Sequence, residues 1–218
     1  MEAIKRKKRK EKIVEIIFLI CASVAVLSVL AITFFVFYNG LAPFVTNSYP
    51  LWNFLSGVEW RPDSNLYGIF YMIVGSVFAT FGAILIGVPI AILTAVFISE
   101  MASSRIGKAI RFAVELLAGI PSVLYGIFGL GIIVPYVLKI SPFAQGESLL
   151  ATVFVLAIMI LPTVVSIAET SIAAVPKEYR EGSYALGASK VQTIFRVVLP
   201  AGRSGIMTGV ILGIGRAI

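Results

Sequence analysis

Long uncharged apolar stretches recur along almost the whole chain of 218 residues, and the polar residues lie mainly between them. A helix needs about 20 residues to cross a hydrocarbon core of about 30 Å. The pattern predicts spans over residues 16–38, 67–98, 112–138 and 148–168, with a fifth beginning after Pro200. The fifth stretch reaches Ile218 without a polar flank, so we expect an incomplete last span and a fragment. The sequence therefore predicts an all-α, polytopic transmembrane helix bundle of about five spans.

The composition supports this prediction and excludes several kinds of site. Hydrophobic residues make up 59% of the chain and charged residues 13%, whereas soluble domains carry about 25% charged residues. The chain has no histidine and only Cys21 as a cysteine, so it cannot assemble a Cys/His metal cluster or a His-activated serine or cysteine nucleophile. We expect a protein that is not an enzyme and that holds no cofactor of its own.

The net charge of +7 is distributed in a way that predicts topology. Fifteen of the 18 basic residues fall in three groups, at 5–12, 105–111 and 177–203, which share one side if the spans alternate. Because basic residues are retained on the cytoplasmic side, the N-terminus is predicted to be cytoplasmic. We therefore expect a basic N-terminus at 1–12, then a transmembrane domain at 13–218 embedded in the lipid bilayer. Separate juxtamembrane groups of this kind do not indicate a nucleic-acid partner.

The third predicted span is not expected to be a regular helix, because four glycines and two prolines interrupt residues 115–135. Broken backbone at membrane depth is tolerated where protein or a water-filled cavity surrounds it. The pattern favours a helix beside a transport pathway over a merely kinked packing helix.

A polar loop at 169–203 has helical order of its own. Pro176 precedes a charged segment that suits a first helical turn, and Gly187 can end that helix. Ser189 and Gln192 fit a capping box that starts a second helix, which Pro200 is expected to end. The apolar residues of the second helix recur at the spacing of one buried face; they are Val191, Ile194, Phe195 and Val198.

The same loop resembles a known motif. Glu181-Gly182-Ser183, then three residues to Gly187, then nine residues to Val197-Val198-Leu199-Pro200, has the spacing of the EAA motif of ABC importer permeases. Small residues stand for the two alanines of that motif, and valine stands for its isoleucine. The resemblance implies that the loop docks to a cytoplasmic ATPase subunit. The residues implied in this coupling are Glu181, Gly182, Ser183, Gly187, Leu199 and Pro200.

Wider segments are similar to phosphate permease subunits of the PstC type. They lie at 115–126, 161–163, 174–183 and 211–218. The resemblance implies a type I ABC importer permease bundle in a prokaryotic plasma (inner) membrane. It also implies three kinds of partner: a second permease subunit of the PstA type, a PstB-type ATPase dimer that uses ATP, and an extracytoplasmic phosphate-binding protein. A PstA-type subunit is the main alternative, and the family ordinarily continues with Gly-Glu-Thr beyond this chain's last residues.

Arg216 is the candidate residue for the substrate. It lies thirteen residues beyond Arg203, which at about 1.5 Å per helical residue places it about 20 Å into the membrane. A charge at such depth is a candidate functional site, and guanidinium matches phosphate oxygens with a fork of donors. In the resembling permeases this arginine belongs to the translocation pathway. The alternatives are a salt bridge inside the membrane with a carboxylate beyond the sequence, and snorkelling from a short terminal helix.

Other functions remain open. The Gly107-Lys108 pair lacks the upstream glycine of a P-loop, so ATP is expected to bind only a separate subunit. A permease for another oxyanion, such as molybdate or sulfate, has the same charge chemistry. A non-transporting membrane protein that uses the loop for docking or sensing belongs to a different class.

Overall fold

The computed structural model describes the backbone of residues 2–46, 49–140 and 147–218, and the side chains of residues 11–45, 49–140 and 147–218. Most of the predicted basic N-terminus thus lies outside the residues whose side chains are described. The chain forms two compact units, residues 1–71 and 72–218.

The first unit is dominated by one long helix, α1 (Glu2–Thr46), followed by the short helix α2 (Leu51–Ser56). A two-residue hairpin of β1 (Trp60–Arg61) and β2 (Leu66–Tyr67) pairs antiparallel, with Trp60 opposite Tyr67. Side chains from 11 to 41 are exposed on every side of α1. An apolar helix exposed all round is the form expected of a span surrounded by lipid.

The second unit is a helical bundle, and among its described residues π turns interrupt three helical stretches. Helix α3 (Phe70–Val96) begins at the junction of the units and continues into a π-helical turn (Phe97–Met101). Helix α4 (Ser104–Ala118) is separate from α5 (Ser122–Phe128), which continues through a second π turn (Gly129–Ile133) into α6 (Val134–Ile140).

The remaining helices are α7 (Leu149–Ala173), α8 (Lys177–Ala185) and α9 (Lys190–Thr193). A third π turn (Ile194–Val198) joins α9 directly to α10 (Leu199–Ala217).

Five helical stretches of the described residues are long and apolar enough to cross a membrane. They are Glu11–Val45, Phe70–Met101, Ser122–Ile140, Leu149–Ala173 and Lys190–Ala217. The prediction of an all-α, polytopic bundle with about five spans is confirmed. The third span was predicted over residues 112–138, and that prediction is wrong at its start. Proline favours extended backbone in the residue before it, so Pro121 separates α4 from the span that starts at Ser122.

The prediction that Pro200 ends a helix is also wrong, because the chain remains helical from Lys190 to Ala217. Proline lacks an N–H and its ring clashes with the carbonyl four residues earlier in a regular α-helix. Here a π turn precedes it, and the Leu199 N–H bonds to the carbonyl of Ile194, five residues back. The wider turn, with proline at the start of α10, accommodates the ring without ending the helix.

Two of the four residues on the predicted buried face of this segment are exposed. Ile194 and Val198 are buried as predicted, but Val191 is 60% exposed and Phe195 is 52% exposed. The predicted face assumed 3.6 residues per turn, and the π turn departs from that period.

The core lies where α3, α7 and α10 meet. Ala95, Ala168 and Ile172 are fully buried there and belong to the same apolar cluster as Val198. Small residues allow α10 to approach α7 closely, since a Cβ at Gly209 would lie 3.0 Å from the Cβ of Ile167. This packing places the last helix directly against α7, which holds residues of both sites described below.

Candidate functional site

Helices α8 and α9 and the turn between them, residues 177–193, form a helical elbow. Gly187 at its corner has a φ of +82°, the left-handed region that side chains other than glycine rarely adopt. Nothing lies within 4 Å of the position that its Cβ would take, so backbone conformation rather than space favours glycine there. The predicted end of the first helix near Gly187 is confirmed.

The second arm of the elbow is capped as the sequence predicts. The Ser189 N–H donates to Oε1 of Gln192 at 2.9 Å, and the Gln192 N–H donates to Oγ of Ser189 at 3.3 Å. The hydroxyls of Ser183 and Thr193 lie 2.9 Å apart and link the two arms. These contacts fix the angle at which the arms meet.

An open groove of about 500 Å³ runs along the elbow. Gly182, Ser183 and Gly187 line it, so the structure brings these three predicted coupling residues together. Glu181 is exposed on α8 outside the lining set. Leu199 and Pro200 lie in the first turn of α10, where Leu199 packs against the core.

Arg180 anchors the elbow to the bundle. Its Nη2 lies 2.6 Å from Oε1 of Glu100, and its Nε donates to the same oxygen at 3.1 Å. Its Nη1 donates to the carbonyl of Val175 at 2.6 Å, and Nη2 also donates to the carbonyl of Ile172 at 3.0 Å. The side chains of Arg180 and Glu100 are only 17% and 9% exposed. Sequence reasoning counted Arg180 only as a determinant of topology and missed Glu100.

A second ion pair joins α4 to α7. Nε of Arg111 donates to Oε1 of Glu169 at 3.0 Å, and Nη2 contacts the same oxygen. The hydroxyl of Ser99 donates to the backbone carbonyl of Glu169 at 3.4 Å. The hydrogen bond and the Coulombic attraction of Glu169 raise the pKa of Arg111 above its ordinary value. The sequence placed Glu169 at the start of a polar loop, whereas the structure buries it near the end of α7.

The break between α4 and α5 leaves backbone carbonyls available to side chains. The Tyr125 hydroxyl donates to the carbonyl of Leu117 at 2.8 Å, and Tyr125 is buried. Arg216 is held at the same break by two neutral oxygen atoms. Its Nη1 donates to Oγ1 of Thr163 at 3.3 Å, and its Nη2 donates to the carbonyl of Ile120 at 3.4 Å.

Two predicted features therefore meet at one place, because the break between α4 and α5 supplies a carbonyl that accepts from the arginine in α10. The expected interruption between residues 115 and 135 is confirmed at 119–121. Within the described ranges, ion pairs join Arg61, Arg111 and Arg180 to glutamates, and none involves Arg216. A guanidinium held by two neutral oxygens at these distances keeps donors for an anion. The same described residues contain no group of three or more metal-binding side chains.

Comparison with known proteins gives a consistent result. Residues 87–218 match the family described as binding-protein-dependent transport system inner membrane component. The probable ABC transporter permease protein YqgH of Bacillus subtilis is 43% identical over 189 residues, which cover 86% of this chain and 61% of that protein. The phosphate transport system permease protein PstC of Xylella fastidiosa is 37% identical over 185 residues, covering 76% of this chain and 57% of that protein.

The phosphate transport system permease protein PstA 1 of Mycobacterium tuberculosis is 32% identical over 157 residues, covering 72% of this chain and 50% of that protein. The chain thus spans between half and about three-fifths of the length of these curated relatives.

Proposed function

Because the chain belongs to the family of binding-protein-dependent transport system inner membrane components, we propose that it is a permease subunit of an ATP-driven phosphate importer. It contributes to the translocation pathway and docks to a separate ATPase through the helical elbow at 177–193. Its partners are a second permease subunit of the PstA type, a PstB-type ATPase dimer and an extracytoplasmic phosphate-binding protein. The N-terminus faces the cytoplasm, and the bundle crosses a prokaryotic plasma membrane.

The observation that carries this proposal is the elbow at Gly187. A rigid two-helix corner with an open groove offers a partner protein a defined surface, which a plain connection between spans does not. The EAA-type residues Gly182, Ser183 and Gly187 line that groove, so the motif spacing and the geometry support the same role. The partner subunit then binds and hydrolyses ATP, and its conformational change displaces the elbow.

Arg216 supports the choice of an anionic substrate. It lies in an apolar helix, and its hydrogen bonds are to a threonine hydroxyl and a backbone carbonyl. Bonds from guanidinium to an anionic oxygen are shorter and about twice as strong as neutral ones. Phosphate entering beside the break exchanges these neutral partners for charged oxygens. ATP-driven closure moves the elbow, the binding protein releases phosphate outside, and reopening exposes the site to the cytoplasm.

Uptake by the assembled transporter in proteoliposomes tests the substrate and the energy source together. Labelled phosphate, sulfate and molybdate are offered with the binding protein on one side, and ATP is supplied on the side of the ATPase. We expect phosphate uptake that needs both ATP and the binding protein. Uptake of sulfate or molybdate in place of phosphate would reassign the substrate. Absence of ATP-dependent uptake would favour a non-transporting docking protein.

Substitution of Gly187 tests the elbow. Left-handed backbone costs a residue with a side chain about 1–2 kcal/mol, which corresponds to about a tenfold shift in an equilibrium. We therefore expect Gly187→Val to lower ATPase co-purification and phosphate uptake about tenfold. Gly187→Asn should retain much of both, because asparagine tolerates this conformation.

The control is Gly75→Ala in α3, where nothing lies within 4 Å of the added Cβ. It should behave like the unmodified protein. Equal activity of the valine and asparagine variants at Gly187 would show that the left-handed corner does not matter for docking.

A further inference from the structure

One side chain of the elbow contacts two other parts of the bundle. The Arg180 guanidinium binds the carboxylate of Glu100 in the π turn after α3 and the carbonyls of Ile172 and Val175 at the end of α7. Arg180 itself belongs to α8. A displacement of α8 therefore acts on both neighbouring segments through a single group.

The chemistry of these contacts makes the connection stiff. An Arg–carboxylate pair with two donors is geometrically specific, and burial in a low-dielectric environment strengthens it. The Ile172 carbonyl is among the last four of α7, which lack the regular partner four residues on, and it also accepts from the Val175 N–H at 3.2 Å. Val175 lies two residues beyond the end of α7 at Ala173. A cation at a helix C-terminus is also favoured by the helix dipole.

Helix α7 extends this connection to Arg216. Glu169, one turn before the Arg180 contacts, binds Arg111 of α4, and α4 ends at the break that supplies the Ile120 carbonyl. Thr163, further along α7, contacts Arg216 directly. A movement of the end of α7 thus reaches both oxygens that hold the pathway arginine.

We propose that Arg180 is a positioning residue that transmits movement of the elbow to α7 and α3 and so couples ATP hydrolysis to movement of the anion. This inference rests on the proposed function of the chain as an ATPase-coupled permease. A purely structural role predicts something different, namely that the same contacts only keep the elbow folded and able to bind its partner.

The ratio of ATP hydrolysed to phosphate transported separates these roles. The test uses the assembled transporter with Arg180→Gln, which removes the charge and the fork, and with Glu100→Gln, which removes only the charge of the partner. Co-purified ATPase, ATP hydrolysis stimulated by the binding protein and phosphate uptake are measured on each. We expect Arg180→Gln to retain the ATPase while the ratio rises about tenfold, within the usual range of coupling between sites.

The conservative variants add a graded readout. Glu100→Gln should raise the ratio by a smaller factor, since the bonds from Arg180 to the carbonyls of Ile172, Val175 and Pro176 remain. Arg180→Lys keeps the charge but loses the fork, and should fall between the glutamine variant and the unmodified protein. Arg105→Gln, at an exposed cation of α4, is the matched control and should leave the ratio unchanged.

Two results would overturn the inference. One is a parallel loss of ATPase binding and uptake in Arg180→Gln at an unchanged ratio, which is the result of a structural contact alone. The other is a normal ratio with normal uptake. Failure of the unmodified protein to co-purify an ATPase would instead contradict the proposed function itself, and this is determined before any variant is measured.

Discussion

Arg180 and Arg216 are both arginines held between packed helices, but their partners differ in charge. Arg180 pairs with a carboxylate that is only 9% exposed and also donates to three backbone carbonyls. Arg216 contacts one hydroxyl and one carbonyl, at 3.3 and 3.4 Å. Among the ion pairs of the described residues, one neutralises Arg180 and none neutralises Arg216.

This difference separates an anchor from a binding group. Breaking the contacts of Arg180 would leave a buried carboxylate without its counter-charge, which strongly destabilises the folded protein. The hydrogen bonds of Arg216 are longer than the usual 2.7–3.2 Å, and their loss on binding an anion costs little. The first arginine is suited to hold helices together, and the second is suited to exchange its partners during transport.

The largest expected effect comes from removing the exchangeable arginine. Truncating one side of a buried charged contact costs about 2–5 kcal/mol, or a factor of at least about thirty. We therefore expect Arg216→Ala to lower phosphate uptake at least about thirtyfold without loss of ATPase co-purification. Arg216→Lys should retain part of the uptake with a raised KM, because lysine keeps the charge without the fork.

The control for this prediction is Lys108→Ala, which removes an exposed cation of α4. It should leave KM for phosphate unchanged. Normal uptake by Arg216→Ala would remove Arg216 from the pathway and erase the functional contrast between the two arginines.

A smaller and different effect is expected at the second paired arginine. Glu169→Gln removes the charge that holds Arg111 while leaving a carboxamide of similar shape. We expect the Tm of the purified protein to fall by about 3 °C, the scale of a loss near 1 kcal/mol, with KM for phosphate unchanged. A raised KM at unchanged Tm would show that this pair acts in phosphate binding, like Arg216, and not as a structural anchor, like Arg180. The double variant with Arg111→Gln should lower Tm by less than the sum of the single variants if the two groups interact directly.

Local sequence patterns were sufficient to predict much of the architecture. The five spans follow from the length of the apolar runs, and the elbow follows from Pro176, Gly187 and the Ser189–Gln192 capping box. Each of these is a local signal, in which a few neighbouring residues determine the conformation. The interruption between residues 115 and 135 was predicted for the same reason, although the structure places the break at 119–121, before the third span begins at Ser122.

The ion pairs could not be predicted in this way. Glu100 and Arg180 are 80 positions apart, and Arg111 and Glu169 are 58 apart, so only the packing of the bundle brings them together. Charge counting assigned both arginines to topology because it does not consider their partners. The π turn before Pro200 was also missed, since proline alone predicts a helix end and the wider turn depends on the surrounding packing.

The smallest expected effect concerns the hydrogen bond between Arg216 and Thr163. Thr163→Val replaces a hydroxyl by a methyl group of similar size and removes the 3.3 Å bond to Nη1, while the Ile120 carbonyl still accepts from Nη2. Because phosphate displaces this bond when it binds, a net contribution of about 0.5–1 kcal/mol for the bond corresponds to about a threefold fall in KM for phosphate, with the maximal rate unchanged. The matched control is Thr208→Val in α10, whose hydroxyl donates only to the Ser204 carbonyl of its own helix. A raised KM in Thr163→Val would show that the hydroxyl orients the guanidinium and stays bonded to it when phosphate binds, which would contradict the exchange of partners at Arg216.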